Sequence, residues 1–261
     1  MAALLPPATS GAVWTESALY TFGGSPGGGW PFAGVVSEGG SLFGTTLYGG
    51  DEFCGCGVAY ELTPPTASGV AWTETTIHTF TYGPPTDGQN PADALTVGPG
   101  GALYGTTQFG GSGACVTSSG PYPGCGTVFQ LTPPTAPGGA WTESILHSFA
   151  VTSGDGAVPA ASVVVGKNGE IYGTTQWGGS ATPACPSSYY VVAGCGIVFE
   201  LTPPSSPGGA WTETVLHAFT GENGEGAIPL AGLALSSSGV LYGTTSAGGA
   251  AGRGTVFAIT P

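Results

Sequence analysis

The stretch Leu241-Tyr-Gly-Thr-Thr-Ser-Ala-Gly-Gly249, followed by Gly254-Thr-Val-Phe-Ala-Ile-Thr-Pro261, states for the fourth time a pattern that runs through the chain. An aromatic with Gly-Thr-Thr also occurs at Phe43–Thr46, Tyr104–Thr107 and Tyr172–Thr175, each time with Gly-Gly beyond two intervening residues. The companion block reads Gly57-Val-Ala-Tyr-Glu-Leu-Thr-Pro-Pro, Gly126-Thr-Val-Phe-Gln-Leu-Thr-Pro-Pro and Gly196-Ile-Val-Phe-Glu-Leu-Thr-Pro-Pro. Outward from both, Trp-Thr-Glu opens at Trp14, Trp72, Trp141 and Trp211 and leads to Phe22, Phe80, Phe149 and Phe219. Successive Trp residues are 58, 69 and 70 positions apart. A fixed period of tens of residues decides architecture before local propensity does.

Each period holds four short runs rich in Thr, Val and aromatics, separated by Gly, Pro or Ser clusters, which is the pattern of strands and turns. In the last period these are Trp211–Thr220, Leu230–Leu235, Val240–Thr245 and Thr255–Thr260. With Gly 50 and Pro 23 in 261 residues, helix is disfavoured and an all-β chain is expected. Four antiparallel strands per period are the content of a propeller blade. The expectation is a four-bladed β-propeller, one domain over 1–261 made of repeats at about 8–65, 66–134, 135–204 and 205–261. Ala3-Leu4-Leu5-Pro6-Pro7 is in phase with Glu61-Leu62-Thr63-Pro64-Pro65, and the chain stops at Thr260-Pro261. The ring is therefore expected to close by pairing the N-terminal outer strand Trp14–Phe22 with the C-terminal strand Thr255–Thr260, removing exposed edges. An open arc that pairs with a second copy, as a larger ring or a filament, is the competing arrangement.

Two basic residues, Lys167 and Arg253, stand against fifteen carboxylates, for a formal charge of -13. That balance argues against nucleic acid and anionic membrane surfaces as partners, because no basic patch exists to release counterions. No apolar run approaches the roughly 20 residues a spanning helix requires. The start, Met1-Ala-Ala-Leu-Leu-Pro-Pro, lacks a positive leader region, and a secreted form is expected to have lost its signal peptide.

Leu-Tyr-Gly-Thr-Thr-x-x-Gly-Gly, Gly-Thr-Val-Phe-x-Leu-Thr-Pro and Trp-Thr-Glu-x-x-Leu-His-x-Phe, in that linked order, resemble the GloVer-type tandem repeat of bacterial choice-of-anchor surface proteins. The resemblance covers all four periods. It implies export, attachment to a cell surface through a terminal anchor, and a propeller-like fold; it implies no reaction.

The six cysteines fall in one loop of three periods, as Cys54 and Cys56, Cys115 and Cys125, and Cys185 and Cys195. Paired occurrence in hairpin loops reads as three local disulfides formed in an oxidising compartment. Zinc is the alternative, but the spacings do not repeat a zinc pattern and no His is near in sequence. Cys54 and Cys56, in a tight ring, can instead stay reduced or pair between chains.

His78, His147 and His217 share one repeat position, with Tyr20 in the first period, and packing or a hydrogen bond to a neighbouring repeat is their expected role. Glu16, Glu74, Glu143 and Glu213 likewise repeat and read as solvated edge charges, too far apart for paired acid and base work. Asp87, Asp155 and Glu225 open an Asp/Glu-Gly-x-x-Pro turn. Such turns, with Glu222 in the last, can hold calcium through carboxylate and carbonyl oxygens; no other cofactor is implied. Among loop aromatics, Trp30, Tyr189 and Tyr190 are candidates for ligand contact, whereas the shared position of Tyr48, Phe109 and Trp177 suggests packing between repeats. No Gly-x-Ser-x-Gly elbow or nucleotide loop occurs. The expected function is a non-enzymatic, exported structural or adhesive surface module whose partners are copies of itself or other surface proteins. A carbohydrate-binding propeller using loop aromatics is the second reading, and a glycan-active enzyme on a propeller scaffold the third.

Overall fold

The β-branched and aromatic runs of each period become strands because Gly and Pro punctuate them at short intervals and leave no stretch for a helix to nucleate. The computed structural model describes residues 2–5, 15–67, 70–83, 87–117, 120–136, 138–150, 154–185, 194–206 and 208–261. Among them the single helical element is the 3-10 turn Pro99–Gly101. The rest is all-β and antiparallel.

Three four-stranded sheets share one order. A leading strand pairs with a Gly-Thr-Thr strand, that with a Val-Phe strand, and that with a Trp strand. In the first sheet these are Val36–Glu38, Ser41–Thr46, Val58–Thr63 and Thr73–Thr79. The second runs Thr96–Val97, Leu103–Thr107, Thr127–Thr132 and Thr142–Ser148. The third runs Val164–Val165, Ile171–Thr175, Ile197–Thr202 and Thr212–Ala218. A fourth sheet has three strands, Ala234–Leu235, Leu241–Thr245 and Thr255–Ile259, and among the described residues no Trp strand pairs with the last of them.

Each Trp strand thus completes the sheet of the period before its own. The expected closure does not form: Thr15–Ala18 pairs with Ala2–Leu5, with Leu4 opposite Glu16, and not with Thr255–Ile259. The physical reason is phase and proximity. Ala2–Leu5 occupies the repeat position of a Val-Phe strand, the partner every other Trp strand takes, and a local hairpin closes a far shorter loop than the two chain ends would.

A one-residue bulge breaks the three later Trp strands at the same place. Tyr60 pairs with Thr76 but Ala59 with His78; Phe129 with Ile145 but Val128 with His147; Phe199 with Val215 but Val198 with His217. Side chains alternate faces along a strand, so Glu and His four positions apart would project together. The extra residue sends them to opposite faces.

That device orients the core, which lies in the seams between consecutive sheets. Phe80, after the first sheet's Trp strand, meets Phe129 edge to face at 5.2 Å; Phe149 meets Phe199 at 5.2 Å and Phe219 meets Phe257 at 5.1 Å. At the first seam Phe22 meets Tyr60 at 4.9 Å. Phe80, Phe129, Phe149 and Phe199 are fully buried, and truncating such a ring to alanine costs about 3–5 kcal/mol. The Gly of Gly-Thr-Thr makes room for these rings: a Cβ on Gly44, Gly105, Gly173 or Gly243 would overlap Tyr60, Phe129, Phe199 or Phe257.

Main-chain bonds stitch the same seams. The N–H of Asn90, Val158 and Ile228 donates to the carbonyl of Cys56, Cys125 and Cys195, and their own carbonyls accept from Gln108, Gln176 and Ser246. These residues and Trp30 sit at φ 55–61, with Val158 at 55 and Ile228 at 57. A left-handed β-branched residue persists only where its surroundings over-determine it, and here both of its backbone groups are claimed by neighbouring loops.

Candidate functional site

Polar side chains repeat at the seams beside the Phe rings. At the second seam His78 leaves the first sheet on the far side of its bulge, and Asp87 arrives from the turn that follows. Asp87 is fixed by that turn: its carboxylate accepts from the Thr81 N–H at 2.9 Å, the Thr81 hydroxyl at 3.2 Å and the Gly88 N–H at 2.7 Å. Nε2 of His78 lies 3.4 Å from Asp87 and 3.5 Å from Oε1 of Glu143, which the second sheet's Trp strand sends across. The third seam repeats the group. Nε2 of His147 is 3.5 Å from Oδ1 of Asp155 and 3.8 Å from Oε2 of Glu213, while Asp155 accepts from the N–H groups of Ala150 and Gly156. In each group the three donor atoms lie within 4.8 Å of one another.

The other two seams differ by substitution. At the fourth, Nε2 of His217 closes to 2.6 Å on Oε1 of Glu225, whose other oxygen takes the Thr220 N–H and hydroxyl. At the first, Tyr20 replaces His and hydrogen-bonds Glu74.

Solvated edge charges are therefore the wrong description of Glu74, Glu143 and Glu213. Glu143 and Glu213 are only 16% exposed, because the bulge turns each toward the preceding sheet; of the four, Glu16 alone is exposed. Burial, then the facing Asp87 carboxyl, pushes Glu143 up to about 7 against the pull of His78. Glu213 rises to about 7 through burial and Asp155, against His147. Burial opposes protonation of His78 and His147, but the close carboxylates of Asp87 and Asp155 and the charges of Glu143 and Glu213 outweigh it, so both imidazoles are raised. Burial also raises Glu74. Chemically, each triad offers one imidazole nitrogen and two carboxylates to a common point.

Of the turn carboxylates, Asp87, Asp155 and Glu225 come together with the histidines, and Glu222 does not: its N–H donates to the Thr220 hydroxyl. The cysteines pair as Cys54–Cys56, Cys115–Cys125 and Cys185–Cys195, each with Cα atoms 5.1 Å apart. Tyr189 and Tyr190 lie outside the described residues. Phe109 and Trp177 pack against the core between repeats, whereas Tyr48 is 45% exposed and meets Trp30 edge to face at 5.4 Å.

Trp30 and Tyr48 belong to a second site that the sequence only half announced. With Phe53 they wall an open groove of about 620 Å³ floored by the Cys54–Cys56 loop and flanked by Asp51 and Glu52. Trp30 is 72% exposed and Phe53 99%. Asp51 Oδ1 accepts from the N–H groups of Phe53 and Cys54, holding the loop that presents the Phe53 ring.

A four-sheet array built from one repeated unit, closed by seams of this kind, defines a tandem-repeat protein. The chain belongs to the Gloeobacter/Verrucomicrobia repeat family, whose model matches residues 7–181 and 110–261. Among solved structures it is similar to a polysaccharide lyase, an ulvan lyase determined bound to -GlcA(1-4)Rha3S-, at 10% identity and a TM-score of 0.47. The match covers 85% of this chain and 47% of the lyase, so the chain spans about half the length of that structure. No curated protein matches the sequence.

Proposed function

We propose that the chain is a non-enzymatic, exported surface module, structural or adhesive, whose sheets are blades of a propeller-like arc that associates with further copies through its open side. The observation that carries the proposal is where the repeated residues go. From the second period on, the His, the turn carboxylate, the Phe and the Trp-strand Glu join one sheet to the next, which is the pattern of a scaffold rather than of a reaction centre. Family membership and three disulfides, which persist in oxidising compartments, agree with export.

The outer edge of Thr255–Ile259 has no partner among the described residues, and Val256 on that strand is 81% exposed. An uncovered edge is a template for another chain, and a lysine there is the usual block. Light scattering of the purified protein across a concentration series should show association that Val256→Lys abolishes. A strict monomer at every concentration would sink the assembly half of the proposal.

The groove at Trp30, Tyr48 and Phe53 supports a second reading, recognition of glycans, because exposed flat rings stack on sugar faces while neighbouring carboxylates accept from hydroxyls. A glycan array with the parent protein and the Trp30→Ala and Phe53→Ala variants tests it. Reproducible binding lost in both variants establishes adhesion through this groove; binding that survives both places recognition elsewhere.

A further inference from the structure

We infer that His78, Asp87 and Glu143, and again His147, Asp155 and Glu213, are two equivalent divalent-cation sites that staple consecutive sheets, taking a zinc-like ion with one imidazole and two carboxylate ligands. Three observations on the geometry point there. First, the donor atoms make only long contacts with one another. Nε2 of each histidine is 3.4–3.8 Å from its carboxylate oxygens, beyond the 2.7–3.2 Å of a good N–H···O bond. That spacing is what ligands about 2.0–2.2 Å from a shared tetrahedral ion would keep, roughly 3.3–3.6 Å.

Second, polar atoms belonging to both groups are orphaned. Oε1 of Glu143, Nε2 of His147 and Oε1 of Glu213 are buried without any hydrogen-bond partner. A buried polar atom left unpaired costs about 1–3 kcal/mol, and the same arrangement stands at two seams built from separate stretches of chain. Third, the fourth seam supplies an internal comparison. There, among the described residues, no Trp-strand glutamate crosses, and His217 closes to 2.6 Å on Glu225. The open spacing thus accompanies the third ligand.

The ligand chemistry selects the class of ion. Two carboxylates alone would suit calcium or magnesium, but an imidazole nitrogen in the set favours zinc and its neighbours. Asp87 and Asp155 are pre-positioned by two or more backbone and hydroxyl donors, as the outer shell of a metal site requires. Each site takes its histidine and aspartate from one period and its glutamate from the next, so an ion bound there ties two sheets directly.

The test is titration of the chelator-stripped full chain with zinc chloride, by calorimetry at pH 7.5 and in parallel by thermal melting, with calcium chloride as comparison. The expected result is two zinc ions per chain and a raised Tm, with calcium at least 10-fold weaker. Glu143→Gln and Glu213→Gln should each remove one site and the double variant both. Glutamine keeps the shape and removes a buried like charge, so the variants fold, which melting without zinc verifies. Absence of zinc binding, or full binding by the folded double variant, overturns the inference and leaves each triad as a carboxyl pair sharing a proton beside a histidine.

Discussion

Oε1 of Glu143 stands 3.5 Å from Nε2 of His78 across the seam between two sheets, with Asp87 3.4 Å from the same nitrogen. With chelator present, this arrangement fixes how stability responds to pH. Glu143 and Glu213 are raised from 4.5 to about 7 in the folded chain, so between those values the folded state holds more protons than the unfolded one. Stability contributed this way is complete below the unfolded pKa and is lost as pH rises through the folded one. His78 and His147, also raised, act in the same direction. The Tm in EDTA should therefore fall by about 5 °C or more from pH 5 to pH 8, and the Glu143→Gln, Glu213→Gln double variant should flatten the slope. A Tm that climbs over that interval contradicts the assignment.

Tyr60 occupies the place that Phe129, Phe199 and Phe257 hold in later sheets, and its hydroxyl is buried with no partner. Burial, and next the charge of Glu74, pushes it up to about 12. Tyr60→Phe removes an unsatisfied group at no cost in packing and should stabilise the chain by about 1 kcal/mol. Denaturant unfolding is the measurement, and a loss of stability would reveal a partner for the hydroxyl.

Gly173 faces the tip of the Phe199 ring, where a Cβ would collide. Gly173→Ala should cost about 1–3 kcal/mol by overpacking. Combined with Phe199→Leu, which withdraws the ring tip, the double change should cost less than the sum of the two singles. Strict additivity in a double-mutant cycle would show that the ring is not what the glycine accommodates.

The two ten-residue separations, Cys115–Cys125 and Cys185–Cys195, close loops large enough for a disulfide to restrict the unfolded chain. Replacing Cys185 and Cys195 together by serine should cost about 2–3 kcal/mol. The same change at Cys54 and Cys56, two residues apart, should cost less and instead loosen the Phe53 loop. Unfolding by guanidinium ranks them, and the reverse order would contradict the loop-length argument.

Much of this molecule is legible in its sequence. The periodic Trp, Gly-Thr-Thr and Val-Phe blocks mark the strands, and Gly and Pro mark their ends. What the sequence leaves open is pairing, since a Trp strand can complete the sheet before it or the one after with identical local composition. Ala2–Leu5, in phase with Val58–Thr63 and directly ahead of Thr15–Ala18, was the available signal for the first choice. The triads are hidden for a different reason. Glu74 and His78 are four apart, and so are Glu143 and His147, a spacing that plain alternation places on one face. Only the bulge at Ile77 and its counterparts parts them, and nothing in the residue types there announces it. Phe53 was missed because its exposure depends on how Asp51 folds a single loop.

Each of the first three four-stranded sheets takes its last strand from the following period, and this offset makes the inherited unit different from the folded one. Recombination that deletes or inserts one whole period joins a Val-Phe strand to the next Trp strand all the same, with a matching bulge and matching Phe and Gly surfaces. Arrays of different length can arise in this way without leaving an unfinished sheet in their interior. Genetic slippage, ordinarily ruinous to a folded domain, would here be a route to longer or shorter versions of the same object.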